Sequence, residues 1–107
     1  MVYKVIFDHE ARIEAIEAME YIALDSPRNA VRWYAGMEKE IRNLKRFPKR
    51  WPLAPEGGNL GEELRQVIYR SYRIIYRVEE RSRTVRIVHV RHTARRAIGE
   101  DEFQGED

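Results

Sequence analysis

Residues 63–96 read ELRQVIYRSYRIIYRVEERSRTVRIVHVRHTARR, and this stretch decides the fold. β-Branched and aromatic residues dominate three runs, over residues 63–69, 72–79 and 84–93. The links between the runs are only two and four residues long, which predicts antiparallel hairpins. The first link, Arg70-Ser71, lacks the Gly or Asn that a tight hairpin turn prefers. The sequence therefore predicts three consecutive strands with an unusual first turn.

The same stretch is strongly basic. It contains ten arginines and three glutamates, a net charge of +7, although the whole chain carries only +2. Residues 97–107 contain five acidic residues and no basic residue. A basic sheet followed by an acidic tail indicates a polyanionic partner, an acidic protein partner, or both.

Length and composition predict one domain. We assign residues 1–96 to it and treat 97–107 as a mobile tail that screens the basic sheet. No apolar run approaches the roughly 20 residues that span a bilayer, and the N-terminus lacks the apolar core of a secretory signal. Cysteine is absent, so neither a disulfide nor a thiolate metal site can form. These features predict a cytoplasmic protein without a membrane partner.

The N-terminal half predicts one strand and two helices. Residues 2–7 alternate as a strand does, and Asp8 is placed to cap a helix over residues 9–24. Ser26 followed by Pro27 starts a second helix, whose apolar residues recur every three or four positions until Phe47. Prolines and glycines interrupt residues 48–61, which predicts a loop.

The element order predicts an α+β fold: an N-terminal strand, a two-helix hairpin and then a three-stranded antiparallel sheet, with both helices on one face. Period two divides the second sheet strand into a set that faces the helices and a set that faces solvent or a partner. The first set is Tyr72, Ile74, Tyr76 and Val78, and the second is Arg73, Ile75 and Arg77. The last strand has valine or isoleucine on both sides, which predicts a central strand that is covered on both faces. One side consists of Val85, Ile87, His89 and Arg91, and the other of Arg86, Val88, Val90 and His92.

This pattern resembles the RelE/ParE superfamily, the toxins of bacterial type II toxin–antitoxin modules that are often labelled plasmid-stabilisation proteins. The landmarks are Leu64-Arg65, the run YRIIYR at residues 72–77 and the ending VRHTAR at residues 90–95. Together with the element order they cover residues 2–96. The resemblance implies a protein antitoxin that wraps an extended segment across the helices and the sheet. A hetero-oligomer with the antitoxin and a homodimer are both compatible with it.

The superfamily contains two activities. ParE-like members inhibit DNA gyrase, whereas RelE-like members cut mRNA on the ribosome without a metal. The His-Thr-Ala-Arg ending and the YRIIYRV strand are closer to the ParE branch, so we expect a gyrase inhibitor. The alternatives are a RelE-like mRNA endonuclease and a non-toxic nucleic-acid-binding or orphan domain.

A nuclease would need cations around the phosphate and an acid or base beside the 2′-hydroxyl. The arginine fork suits phosphate oxygens, and histidine titrates near neutrality. The candidate catalytic residues are therefore Arg73, His92, Arg65 and Arg91. Candidates for partner or nucleic-acid binding are Arg77, Arg95, Tyr69 and Trp51. The competing interpretation is that these arginines are ion-paired surface residues and that Trp51 is a lid over the helices.

Metal and cofactor sites are not expected. His89 and His92 are three apart on a strand, which predicts opposite faces, and no HExxH pattern occurs. Gly57-Gly58 is not followed by the Lys-Ser/Thr of a phosphate-binding loop. We therefore predict that the protein works without a cofactor.

Overall fold

The computed structural model describes residues 2–94. The predictions for Arg95 and for the acidic tail lie outside the described residues. The elements are β1 (Lys4–Phe7), α1 (His9–Asp25), α2 (Pro27–Arg42), α3 (Pro55–Leu60), β2 (Arg65–Tyr69), β3 (Tyr72–Glu79) and β4 (Thr84–His92), with 3₁₀ turns at Asn43–Lys45 and Pro48–Arg50.

The sheet has four strands in the order β1-β4-β3-β2. β2, β3 and β4 form the predicted antiparallel meander, which confirms the α+β prediction. β1 joins the other side of β4 in parallel, with Lys4 opposite Thr84 and Phe7 opposite Ile87. The sheet is therefore mixed, and β4 is a central strand as predicted.

The β2–β3 turn forms without glycine. Arg70 and Ser71 both have left-handed backbone conformations, with φ of 44° and 68°. Two positive φ values in a two-residue link match a type I′ turn, whose twist agrees with the right-handed twist of the two strands it joins. The tight hairpin thus imposes the left-handed conformation on residues that rarely adopt it.

Both helices cover the same face of the sheet. α1 places Ala11, Ala15 and Ala18 in the core, and α2 contributes Trp33 and Met37. Together with them, the predicted helix-facing set of β3 (Tyr72, Ile74, Tyr76 and Val78) forms the main core.

The two predicted helix caps differ. The Ser26 hydroxyl accepts a hydrogen bond from the Asn29 N–H at 3.2 Å, as a capping serine should. The Asp8 side chain makes no capping hydrogen bond. Its carboxylate instead accepts a hydrogen bond from Arg86 at 3.1 Å, because β4 brings that guanidinium within reach.

The other face of β3 is covered at Arg73 and Ile75, where the prediction that it meets solvent or a partner is wrong, whereas Arg77 on the same face stays partly exposed. Residues 52–64, here called the covering segment, include α3 and lie across that face. Ile75 is 0% exposed and packs with Ala54 and Leu64. The Ala54 N–H donates to the Leu64 carbonyl at 2.8 Å. The predicted loop over residues 48–61 is therefore ordered: it begins with a 3₁₀ turn at Pro48–Arg50, and from residue 52 onward it belongs to a second layer that contains α3.

A buried ion pair fastens the covering segment to the sheet. Glu56 of α3 is 0% exposed and Arg73 of β3 is 8% exposed. The two terminal guanidinium nitrogens of Arg73, Nη1 and Nη2, donate to the two Glu56 carboxylate oxygens at 2.9 and 2.5 Å. One of them also donates to the Gln66 side chain at 2.8 Å. This is the two-pronged geometry in which arginine binds carboxylate most strongly.

Glycine makes the close approach of the covering segment possible. A Cβ at Gly57 would lie 2.4 Å from the Glu62 carbonyl oxygen and 2.8 Å from the Leu64 backbone nitrogen. Both are backbone atoms that cannot move aside without shifting the chain. Gly57 therefore lets the chain after α3 pack closely against the helix at Glu62 and Leu64, while Glu56 points into the protein.

A β-bulge changes the faces of β4. Ile75 pairs with His89, but Tyr76 pairs with Ile87, so Val88 is an extra residue in the ladder. Val85, Ile87 and Val90 consequently all belong to the core beneath the helices. The predicted division of this strand into two strictly alternating sets is wrong, because the bulge shifts the alternation by one residue. The α1 carboxylate of Glu14 accepts a hydrogen bond from the Val90 N–H at 2.8 Å.

We predict that breaking the Glu56–Arg73 pair from one side destabilises the protein severely. Arg73→Met or Glu56→Leu alone should lower the free energy of unfolding by about 3–5 kcal/mol, because each leaves a buried charge without its counter-ion. The double variant should recover most of that loss, since two apolar side chains of similar size replace both charges. Urea unfolding followed by circular dichroism measures all three.

Arg77→Met is the matched control. Arg77 lies on the same strand, and its ion pairs with Glu62 and Glu79 are partly exposed. Its loss should therefore cost no more than about 1 kcal/mol. Equal costs for Arg73→Met and Arg77→Met would contradict the role given to the buried pair.

Candidate functional site

The two leading catalytic candidates lie on opposite faces of the sheet. Tyr72 pairs with His92, and Arg73 pairs with Arg91. Directly opposed residues share a face, and successive residues alternate. Arg73 and Arg91 therefore point toward the covering segment, where both are buried, and His92 points toward the helices. A shared groove, which the nuclease interpretation requires of Arg73 and His92, is not formed.

His92 lies beside carboxylates. Its ring packs edge-on against Tyr72, with centroids 5.1 Å apart, and its Nδ1 accepts a hydrogen bond from the Ala94 N–H at 3.0 Å. The ring borders a cavity of about 400 Å³ whose other lining residues include Glu14, Glu17 and Tyr21 of α1. An acidic, aromatic cavity suits a cationic side chain better than a phosphate.

Arg65 and Trp51 form one unit. The Arg65 guanidinium donates to the Trp51 carbonyl at 2.7 Å and to the Glu63 carboxylate at 3.0 Å. The Trp51 side chain packs against the core on the helix side. Arg65 thus holds the polypeptide just before the covering segment against the edge of the sheet. This contact occupies the fork that a phosphate would use.

Beyond the buried part of the covering segment, the same face of the sheet carries an ion-pair network that is partly exposed. Glu79 accepts hydrogen bonds from Arg86 at 2.9 Å and from Arg77 at 3.1 Å. Arg77 also bonds Glu62, and Arg86 also bonds Asp8. The hydrogen bond from Arg86, more than any other contact, lowers the pKa of Glu79. Three carboxylates from outside residues 63–96, those of Asp8, Glu56 and Glu62, therefore pair with arginines that the sequence count left unbalanced.

Tyr69 packs between the sheet and α2. Its ring lies 6.3 Å from that of Trp33. A Cβ at Gly36 would lie 1.9 Å from the Tyr69 hydroxyl oxygen. The glycine therefore leaves room for the tyrosine on the helix surface. This close approach holds α2 against β2 and takes up part of the surface that a stacked base would need.

An exposed apolar surface lies where α1 meets α2. Leu24 is 85% exposed, Tyr21 69% and Val31 68%. Tyr21 and Leu24 line a cavity of about 510 Å³ together with Ile22 and Asp25. Because Tyr21 also lines the acidic cavity beside His92, the two depressions are neighbours. Tyr21 and Leu24 thus share one surface, and exposed apolar residues gathered in this way mark interaction sites.

The sequence did not point to two acidic residues, Glu56 and Glu14, that hold candidate residues and strand β4 in place. Glu56 holds Arg73, and Glu14 binds the bulged part of β4 with hydrogen bonds to both Val90 and His89. Glu56 gave one signal, because it stands alone between a proline and two glycines opposite an arginine-rich strand. Glu14 gave none, because its position on α1 resembles any solvated helix position.

Within residues 2–94, no group of three or more histidine and acidic side chains could hold a metal ion. No helix in the same part of the chain is long and apolar enough to cross a membrane.

Comparison with known proteins identifies the family. A family model described as "ParE toxin of type II toxin-antitoxin system, parDE" matches residues 5–97. A solved structure of a chromosomal ParDE system from P. aeruginosa has a TM-score of 0.64 at 11% identity, over 85% of this chain and 96% of that one. The RelBE2 toxin–antitoxin complex from Mycobacterium tuberculosis has a TM-score of 0.60 at 27% identity, over 89% of this chain and 95% of that one. Comparison with curated protein sequences gives no significant match. Because the family model spans nearly the whole chain and the fold agrees, the chain belongs to the ParE family of toxins from type II toxin–antitoxin systems.

Proposed function

We propose that this toxin acts in the cytoplasm by binding and inhibiting DNA gyrase, and that a protein antitoxin neutralises it. One observation carries the choice of a binding inhibitor over an enzyme. Arg73, the best candidate for a phosphate-binding residue, is committed to Glu56 inside the protein. His92 lies on the opposite face among carboxylates. Family membership supports the toxin role, and this geometry supports the ParE-like mode of action.

The rival is a RelE-like mRNA endonuclease. The 27% identity to the RelBE2 structure is the observation that supports this alternative. Metal-independent cleavage needs cations at the phosphate beside the residue that transfers the proton. Here Glu14 and Glu17 border the cavity beside His92, and negative charge there would repel a phosphate. The geometry therefore favours a binding inhibitor.

The antitoxin site proposed here is the α1–α2 end of the molecule. Leu24, Tyr21 and Val31 offer apolar area to a partner segment. The adjoining cavity, with Glu14 and Glu17 at its border, suits a lysine or arginine on the same segment. The structure thus favours an antitoxin segment that presents apolar and basic residues, rather than only acidic residues opposite the basic sheet.

Induction of the protein in bacterial cells without its antitoxin tests the target. We expect growth arrest with altered plasmid topology and intact transcripts. His92→Gln should be equally toxic, because glutamine keeps a hydrogen-bond acceptor near the Ala94 N–H and no proton transfer is involved. Gel analysis of plasmid topoisomers and mapping of mRNA ends in the same cultures measure both outcomes.

Cleavage of mRNA within translated codons, unchanged plasmid topology and a harmless His92→Gln variant would together establish the endonuclease instead. Normal growth on induction of the folded wild-type protein would support the non-toxic domain.

Substitutions at the α1–α2 end test the antitoxin site. Leu24→Lys should weaken binding of the antitoxin encoded next to the gene roughly tenfold or more, as loss of a central apolar contact does. Glu17→Lys should weaken it as well, because it places a positive charge where we expect a basic side chain of the partner. Biolayer interferometry with the purified antitoxin measures the dissociation rates.

Two variants serve as controls. Ile68→Lys changes an apolar residue of β2 that is also exposed, and Glu20→Lys makes the same charge change on the same helix without touching either cavity. Both should bind the antitoxin as the wild type does. Equal weakening by the controls and the test variants would show that the antitoxin does not select the α1–α2 end.

A further inference from the structure

A second charged region lies at the C-terminal end of α2. A cavity of about 420 Å³ opens there, lined by Arg42, Asn43, Lys45, Arg46, Phe47 and Arg50 among others. Its volume falls within the range of about 300–1,000 Å³ that is usual for small-ligand sites. No carboxylate from residues 2–94 lines it.

The cations of this cavity differ from those of the sheet in their partners. Arg65, Arg73, Arg77 and Arg86 are all ion-paired. The four cations of the cavity are Arg42, Lys45, Arg46 and Arg50. All four are exposed, and none of them forms an ion pair within residues 2–94.

The helix dipole explains only part of this cluster. Positive side chains in the last helical turn are favourable there, and Arg42 lies in that turn. Arg46 and Arg50 lie beyond the helix, after the first 3₁₀ turn and in the second. Their convergence on one cavity therefore requires another reason.

Phe47, which lines the same cavity, indicates that the cluster is a binding site. It is 75% exposed and has a left-handed backbone with φ of 51°, a conformation that is strained for an aromatic residue. The next residue is anchored from the core, because the buried Tyr76 hydroxyl donates to the Pro48 carbonyl at 2.5 Å. Burial raises the pKa of Tyr76, so the hydroxyl remains a donor. The fold thus holds an exposed aromatic side chain on a strained backbone among four cations, and backbone strain of this kind is concentrated at functional sites.

We propose that this cavity binds single-stranded nucleic acid, with the arginines on phosphodiester oxygens and one base stacked on Phe47. Cationic grooves that carry an exposed aromatic ring are the usual means of holding single strands, because every base offers a flat face. Arginine forks bind two phosphate oxygens at once. An acidic peptide without aromatic side chains would use the cations but would leave the ring of Phe47 without a stacking partner.

This site is independent of the proposed toxin mechanism and separate from the antitoxin surface. The two regions flank opposite ends of α2, whose 16 residues span about 24 Å. Nucleic-acid binding should therefore persist in the antitoxin complex. It would bring toxin or complex to single-stranded DNA or RNA without using any of the candidate catalytic residues.

Fluorescence anisotropy with end-labelled dT12 and rU12 tests the proposal, and comparing the two strands shows whether DNA or RNA is preferred. Arg42→Gln with Arg46→Gln should reduce affinity at least tenfold and lower the salt slope by about 1.4, as loss of two phosphate contacts on a single strand does. Phe47→Gly should reduce affinity roughly tenfold with an unchanged salt slope. Glycine removes the ring and relieves the left-handed strain, so the variant should fold.

The matched control is Arg28→Gln with Arg32→Gln, an equal charge change at exposed positions on the other end of α2. It should leave affinity within about twofold. An abasic strand of the same length should bind the wild type and Phe47→Gly equally, because it offers no base to stack.

Three results would overturn the proposal. Equal loss in the Arg42/Arg46 and Arg28/Arg32 variants would mean unspecific attraction of charge. Unchanged affinity in Phe47→Gly, with duplex DNA bound as tightly as single strands, would mean that no base is stacked. Equal competition by a 12-residue glutamate peptide would assign the cavity to an acidic protein partner.

Discussion

The ion pair between Glu56 and Arg73 holds the covering segment on the sheet, and the second layer of the fold is built around it. A carboxylate with 0% exposure and an arginine with 8% can be buried together only because the fork geometry satisfies both charges. To reach Arg73, the covering segment must turn back sharply, and Gly57 permits the close backbone approach. The segment then buries Ile75 with Ala54 and Leu64. The ion pair and these apolar contacts together hold the covering segment as a second layer on the sheet.

The same contact determines what the sheet can do. With Arg73 held by Glu56, Arg65 on the Trp51 carbonyl and Arg77 and Arg86 on Glu79, the strand arginines hold the protein together. Surfaces for partners are left to the helices. α2 has a region of apolar and acidic character near one end, and near the other a basic cavity whose cations form no ion pair within residues 2–94. The distribution fits a protein that works by binding other molecules.

Local rules predicted the elements well. Period two located the three C-terminal strands, and the Ser26-Pro27 pair located the start of α2. The resemblance of the strand motifs to the RelE/ParE superfamily was confirmed by the family match. The Val88 bulge was not predictable, because one extra residue leaves both sides of the strand apolar. The covering segment was not predictable either, because its prolines and glycines are typical of a loop.

The candidate site was harder to predict because it depends on contacts between residues distant in sequence. Arg73 and Glu56 are 17 positions apart and Arg86 and Asp8 are 78 apart, so a count of charges along the chain cannot reveal their pairing. His92 was assigned to a face by alternation, which the bulge shifts. Phe47 was taken for the end of a helix, since neither its exposure nor its left-handed backbone has a signature in the sequence.

The most direct test of the central claim, that this toxin binds gyrase and does not cut RNA, uses purified components. Relaxed plasmid, ATP and purified DNA gyrase are incubated with increasing protein, and supercoiling is followed on agarose gels. We expect dose-dependent inhibition of supercoiling that the purified antitoxin reverses. Full supercoiling at a large molar excess of folded protein, alongside cleavage of mRNA on purified ribosomes, would contradict it.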